Sequence, residues 1–201
     1  MIRECPANRS LFINREKQQT VAWCWAASTR TVMEYKNQNK AQAEPTALQC
    51  DIVRNVLSLG LGGTNCCEIQ VAPDFIDAPS VCVQGGWPYW VLNKYHFSYE
   101  WVDGRFDDWE TLKAEICKVG PVISVIDWSG GGSHTLVITG YSTDSDDVAR
   151  VVTTYDPFTD DFQDLSFEEF VGGSTYRSNA FPRFSHNRTY VQIMPMTEGH
   201  R

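Results

Sequence analysis

Gln18-Gln19-Thr20-Val21-Ala22-Trp23-Cys24-Trp25-Ala26-Ala27-Ser28 decides how this chain is read. A glutamine stands six residues ahead of a cysteine, and the cysteine opens a segment with apolar residues at 25, 26, 32, 33 and 35, the spacing of a helix. A thiol at a helix N-terminus meets the positive end of the macrodipole and unpaired backbone N–H groups. Both favour the thiolate, which is the reactive form. Gln18 is spaced to offer its side-chain amide to an oxyanion, with the backbone N–H of Cys24 as second donor, and Gln19 is the neighbouring competitor for that role. Trp23 and Trp25 flank the thiol, and one of them is expected to shield it from water.

Far downstream, Ser133-His134-Thr135-Leu136-Val137-Ile138-Thr139-Gly140-Tyr141 follows the run Ser129-Gly130-Gly131-Gly132 and reads as a strand beginning at its histidine. A second strand, 148–154, leads to Asp156-Pro157. An imidazole at a strand end can stand at a cleft edge, take a proton from a thiol and return it to a leaving amine. A carboxylate two residues past the next strand can accept from the other ring nitrogen and fix its tautomer. His96, His186 and His200 compete for the base, but His186 lies in a polar stretch and His200 near the last residue.

The rest of the chain frames these residues. The first half reads as helical: 24–35, then 46–59, and a short helix opened by Pro88 that ends before Tyr95. A strand at 97–102 and a helix at 107–118 follow, and strands at 122–126, 135–139, 148–154 and 189–194 suit an antiparallel sheet. Segments 36–45 and 64–82 read as loops. With 201 residues, 42% hydrophobic and 21% charged, the chain is long enough to bury a sizeable core and too apolar for wholesale disorder. Its apolar runs fall short of a membrane span. A net charge of −8, from 17 basic and 25 acidic residues, argues against a nucleic-acid partner. The acids gather at 103–115, 144–147 and 160–169, on solvated faces or on a rim that attracts basic substrate segments.

Seven cysteines make an odd set, at 5, 24, 50, 66, 67, 82 and 117. Setting Cys24 aside leaves six, which suit reduced structural thiols, one or more disulfides, or a zinc site. The adjacent pair Cys66 and Cys67 is too close for ordinary disulfide geometry, so a bridge drawn from Cys50, Cys66, Cys67 and Cys82 is the better disulfide reading. The absence of C-x-x-C spacing speaks against zinc.

In Gln18, Cys24-Trp25, Gly120-Pro121-Val122, Ser133-His134 with Gly140-Tyr141, and Asp156, the sequence resembles the papain-like cysteine peptidases. The Trp23-Cys24-Trp25-Ala26-Ala27 form is similar to the compact bacterial branch, which includes effector and toxin domains. The resemblance implies an α+β papain-like fold: one peptidase domain over 1–201, with a mainly helical left lobe to about 95, an antiparallel β-sheet right lobe from about 96, and the cleft between. It implies a thiol protease of narrow specificity with Cys24 as nucleophile, His134 as base, Asp156 as orienting acid and Gln18 as oxyanion donor, and with no cofactor or metal. A protein substrate, an immunity or inhibitor protein and a monomeric state are the expectations for partners. For location they are secretion, or injection into a target cell followed by action in its cytoplasm. The chain departs from the plant and lysosomal members in lacking their Gly-Ser-Cys-Gly lead, in carrying Asp156 where they carry asparagine, and in placing Ser133 before the histidine. An acyltransferase or deamidase on the same site, and a non-catalytic binding module, are the alternatives.

Overall fold

A sheet strand buried on one face alternates in hydrophobicity, whereas one buried on both faces reads as a continuous apolar run. Val122–Trp128 (β3) is the second kind, since Ile123 and Val125 enter one hydrophobic cluster while Val122 and Ile126 enter another. This computed structural model describes residues 4–38, 46–57, 65–68, 81–106, 108–144, 148–172 and 184–196. Around β3 lie Asn8–Ser10 (β1), Phe97–Asp103 (β2), Ser133–Thr143 (β4), Arg150–Asp156 (β5), Asp161–Ser166 (β6) and Phe184–Pro195 (β7). Among the described residues they form one antiparallel sheet in the order β2-β7-β3-β4-β5-β6, with β1 added to the far end of β4.

The helices on one face come from the first half of the chain. They are Cys24–Asn37 (α1), Gln49–Val56 (α2) and Pro88–Lys94 (α3), the last with proline in its first turn, where a missing N–H costs nothing. The first cluster packs Trp23, Trp25, Val32, Ile52 and Leu92 against Ile123, Val137 and Tyr155 of the sheet. On the other face, Trp109–Ala114 (α4) and Phe167–Gly172 (α5) close the second cluster around Leu112, Ile116 and Phe170. No helix among the described residues is long and apolar enough to cross a membrane.

Three details differ from the sequence reading. The helix expected over 107–118 is α4 followed by a π-helical turn, Glu115–Val119, because the buried Glu115 carboxylate turns toward β7 and accepts the Gln192 backbone N–H at 2.7 Å. The helix expected over 46–59 spans 49–56, and its stop at 60–63 lies outside the described residues, as does most of the loop expected over 64–82. The elements β1, β6 and α5 were not anticipated.

Six cysteines form disulfides: Cys5–Cys117, Cys50–Cys67 and Cys66–Cys82. The adjacent cysteines 66 and 67 take different partners. The first bridge ties the N-terminal segment to the π-helical turn. The other two link α2 through residues 66 and 67 to the segment that enters α3.

Candidate active site

Cys24, the one free cysteine of the seven, is the first residue of α1. Its helix is held against β4 by the Ser28 hydroxyl, which donates to the Thr135 carbonyl at 2.9 Å. Ser28 lies four residues past Cys24 and therefore on the same helix face, so this contact brings the thiol to the start of β4. There His134 waits, 8% exposed. Tyr155 faces Val137 across the β4–β5 ladder, which carries Asp156 within reach of the histidine. His134 Nε2 stands 2.7 Å from Asp156 Oδ1, and that oxygen also accepts the Phe158 N–H at 2.8 Å. Both side chains are buried.

Electrostatics favour the charged pair. Burial pushes the Cys24 thiol up, but the hydrogen bond and charge of His134, with hydrogen bonds to Thr135, more than offset it and leave the thiol below its usual 9.0. Burial would lower the imidazole, yet hydrogen bonds to Asp156 and Cys24 and the charges of both push His134 up to about 10. A lowered thiol beside a raised imidazole favours the thiolate–imidazolium pair over the neutral one. The Trp23 side chain makes no cap to α1, so the first-turn amides have no capping side chain and remain donors to charge near Cys24.

Gln18 is buried and tied at both ends. Its backbone N–H donates to the Pro157 carbonyl at 2.8 Å, next to Asp156, and its side-chain Nε2 donates to Thr20 O at 2.7 Å. Thr20 O also accepts from Trp23 N–H at 3.2 Å, so the amide is fixed to the turn that delivers Cys24. One N–H of the Gln18 amide is engaged in this way and a second remains on the same nitrogen. Gln19 is drawn toward α2, since its backbone N–H donates to Gln49 Oε1 at 3.1 Å.

Several residues of this neighbourhood were not singled out from sequence. Gln49 is fully buried and donates to Glu16 Oε1 and Lys17 O, both at 2.7 Å, which fixes the segment carrying Gln18. Trp128 lies over the His134 ring, with centroids 5.9 Å apart and planes at 19°. It reaches that place because the β3–β4 hairpin closes on Gly131 and Gly132, at φ +94° and +85°, which residues with side chains rarely adopt. Trp128 thus covers one face of the His134 ring. Trp23 and Trp25 are themselves core residues, donating to Cys82 O at 2.6 Å and Gln84 O at 3.2 Å. Gly86 lies flat on the Trp25 indole, where a Cβ would stand 2.5 Å from Cε2.

The other histidines are accounted for separately. His186 bonds through both ring nitrogens, to Ser124 Oγ at 3.3 Å and Phe170 O at 2.7 Å, and serves packing. His96 is exposed at a positive φ of 57°, and position 200 lies outside the described residues.

Residues 11–180 match the Peptidase_C39 like family. Among solved structures, the crystal structure of UfSP from C. elegans is similar over 94% of this chain, with a TM-score of 0.53 and 12% sequence identity. The chain spans about a third of that protein's length, since the match covers 34% of it. At that identity the likeness speaks for the fold, which is α+β and papain-like: an antiparallel sheet with helices packed on both faces. No curated protein sequence matches the chain.

Proposed function

The chain belongs to the peptidase C39-like family, and from that premise we propose that it is a cysteine endopeptidase acting through Cys24, His134 and Asp156. The observation that carries the reading is the chain's one free thiol, set at a helix N-terminus and coupled to an imidazole that is itself held by a carboxylate at 2.7 Å. The Cys24 thiolate attacks the substrate carbonyl carbon, forming the C–S bond and placing charge on the carbonyl oxygen. The Gln18 amide and the Cys24 backbone N–H receive that oxyanion. As the C–N bond breaks, imidazolium His134 gives its proton to the departing amine. Neutral His134 then takes a proton from water, whose oxygen attacks the acyl-enzyme carbonyl, and the thiolate leaves with the imidazolium restored. Asp156 keeps Nε2 engaged and turns Nδ1 toward the sulfur.

Three disulfides support maturation in an oxidising compartment, and with it a secreted or delivered protein. The Trp23-Cys24-Trp25-Ala26-Ala27 form supports the bacterial effector or toxin branch, with a protein substrate, narrow specificity and an immunity or inhibitor protein as partner. The test is N-terminal profiling of a target-cell lysate treated with wild type or with folded Cys24→Ala. A small set of new N-termini made by wild type alone is expected, and matching profiles for the two proteins would refute the peptidase reading.

A further inference from the structure

Val125 on β3 faces Thr135 of β4 on one side and Arg188 of β7 on the other, so these three residues form one row across the sheet. Residues paired in antiparallel strands share a face. In this row that face carries the helices: Val125 packs in the cluster with Trp25, Thr135 hydrogen-bonds the Cys24 thiol, and Arg188 reaches toward α3. Two strand spacings, about 10 Å, separate the Arg188 backbone from that of Thr135, about the reach of three residues of extended peptide.

The guanidinium is held between two indoles. Its Cζ lies 4.8 Å from the ring centroid of Trp101 on β2 and 5.8 Å from that of Trp87, which precedes α3. Trp87 directly follows Gly86, the residue seated on Trp25 beside the thiol. Among the described residues the Arg188 Nε has no hydrogen-bond partner. Its ion-pair partner is Asp103, 3.6 Å from Nε and itself 83% exposed, so this pairing is screened by solvent. The buried Tyr190 hydroxyl stands beside the guanidinium, which offsets part of the upward push that burial gives its pKa. The Arg188 side chain is 28% exposed, and the planar donors of a stacked arginine suit a carboxylate.

We propose, building on the peptidase reading, that Arg188 selects the substrate by pairing with one Asp or Glu side chain within about three residues of the scissile bond. The protein's charge of −8 disfavours a run of acids, so a single carboxylate in an otherwise neutral or basic segment fits best.

The experiment is cleavage of a peptide library randomised over three residues on each side of the scissile bond, with kcat/KM compared for Glu and Gln at each position. Wild type should favour Glu at one position by about 10- to 100-fold, the range expected of a charge-assisted hydrogen bond. Arg188→Met, which keeps the apolar stem between the tryptophans, should bring that ratio near one, and Arg188→Glu should favour Lys there. Cleavage by wild type with no acidic preference would overturn the selection and leave the peptidase reading intact. So would an Arg188→Met protein that slows all peptides equally while keeping the Glu-to-Gln ratio, since that is the signature of a purely structural staple. A wild-type protein that cleaves nothing would overturn the peptidase reading and this inference with it.

Discussion

The two walls of the candidate site are built by different means. On the sheet wall, the β4–β5 ladder positions His134 and Asp156, and any shift of register would separate them. On the helical wall, Cys24 depends on side chains reaching backbone: Ser28 to Thr135 O, Gln18 to Thr20 O, Trp23 to Cys82 O and Trp25 to Gln84 O. The Cys66–Cys82 bridge anchors the last two acceptors. The His134–Asp156 pair is thus a product of sheet topology, whereas Cys24 is held by single contacts that can be removed one by one.

The most damaging change on each wall should be equal in effect. Cys24→Ala and His134→Ala should each lower kcat/KM by about 10³-fold or more, because nucleophile and base act as one unit. Thermal unfolding checks that both variants remain folded, and appreciable cleavage by either would show that the walls do not share one reaction. Gln18→Ala should lower kcat by roughly 10²-fold with little change in KM, as an oxyanion donor acts mainly in the transition state. Silence at Gln18 with a loss in Gln19→Ala would move the donor to the neighbour.

On the sheet wall, pH separates charge from orientation. Activity should rise as the thiol ionises below its usual 9.0 and fall as His134 loses its proton near 10. Asp156 raises the imidazole, so Asp156→Ala should shift the falling limb toward acid. Asp156→Asn, which still accepts the hydrogen bond, should shift it less and retain more activity. Equal, near-complete loss in both variants would make the negative charge itself the requirement. The smallest effect on chemistry is expected at the bridge: Cys66→Ala with Cys82→Ala should cost about 3 kcal/mol of stability, the chain-entropy value for a loop of this length. Denaturant titration measures that loss, and pH profiles should keep both limbs.

The sequence was most informative where burial writes a period. α1, β3 and β4 carry apolar patterns and lie at or near their expected places, α3 is opened by its proline, and β7 begins five residues ahead of its expected start at 189. β1 does not announce itself, because Asn8, Arg9 and Ser10 are all exposed and become a strand only by pairing with the end of β4. β6 hides in an acidic stretch, with Gln163 and Leu165 alone turned inward. At the site, chain order suggested that Cys24, His134 and Asp156 would meet, and the structure brings them together. Trp128 and Gln49 were not legible, since a hairpin closure places one and a network with Glu16 and Lys17 the other. The disulfide pairing is not legible in sequence for the same reason: it depends on which loops meet in space.

The double flanking of β4 has a kinetic consequence. Val137 and Ile138 have ladder partners on both sides, β3 and β5, while the segment around Gln84 is held by indole contacts and one bridge. Amide hydrogens in the middle of β4 should therefore exchange only through near-global opening, and those around residues 84–86 through local opening. The thiol wall can loosen while the histidine keeps its place, so on gentle heating activity should disappear before the sheet does.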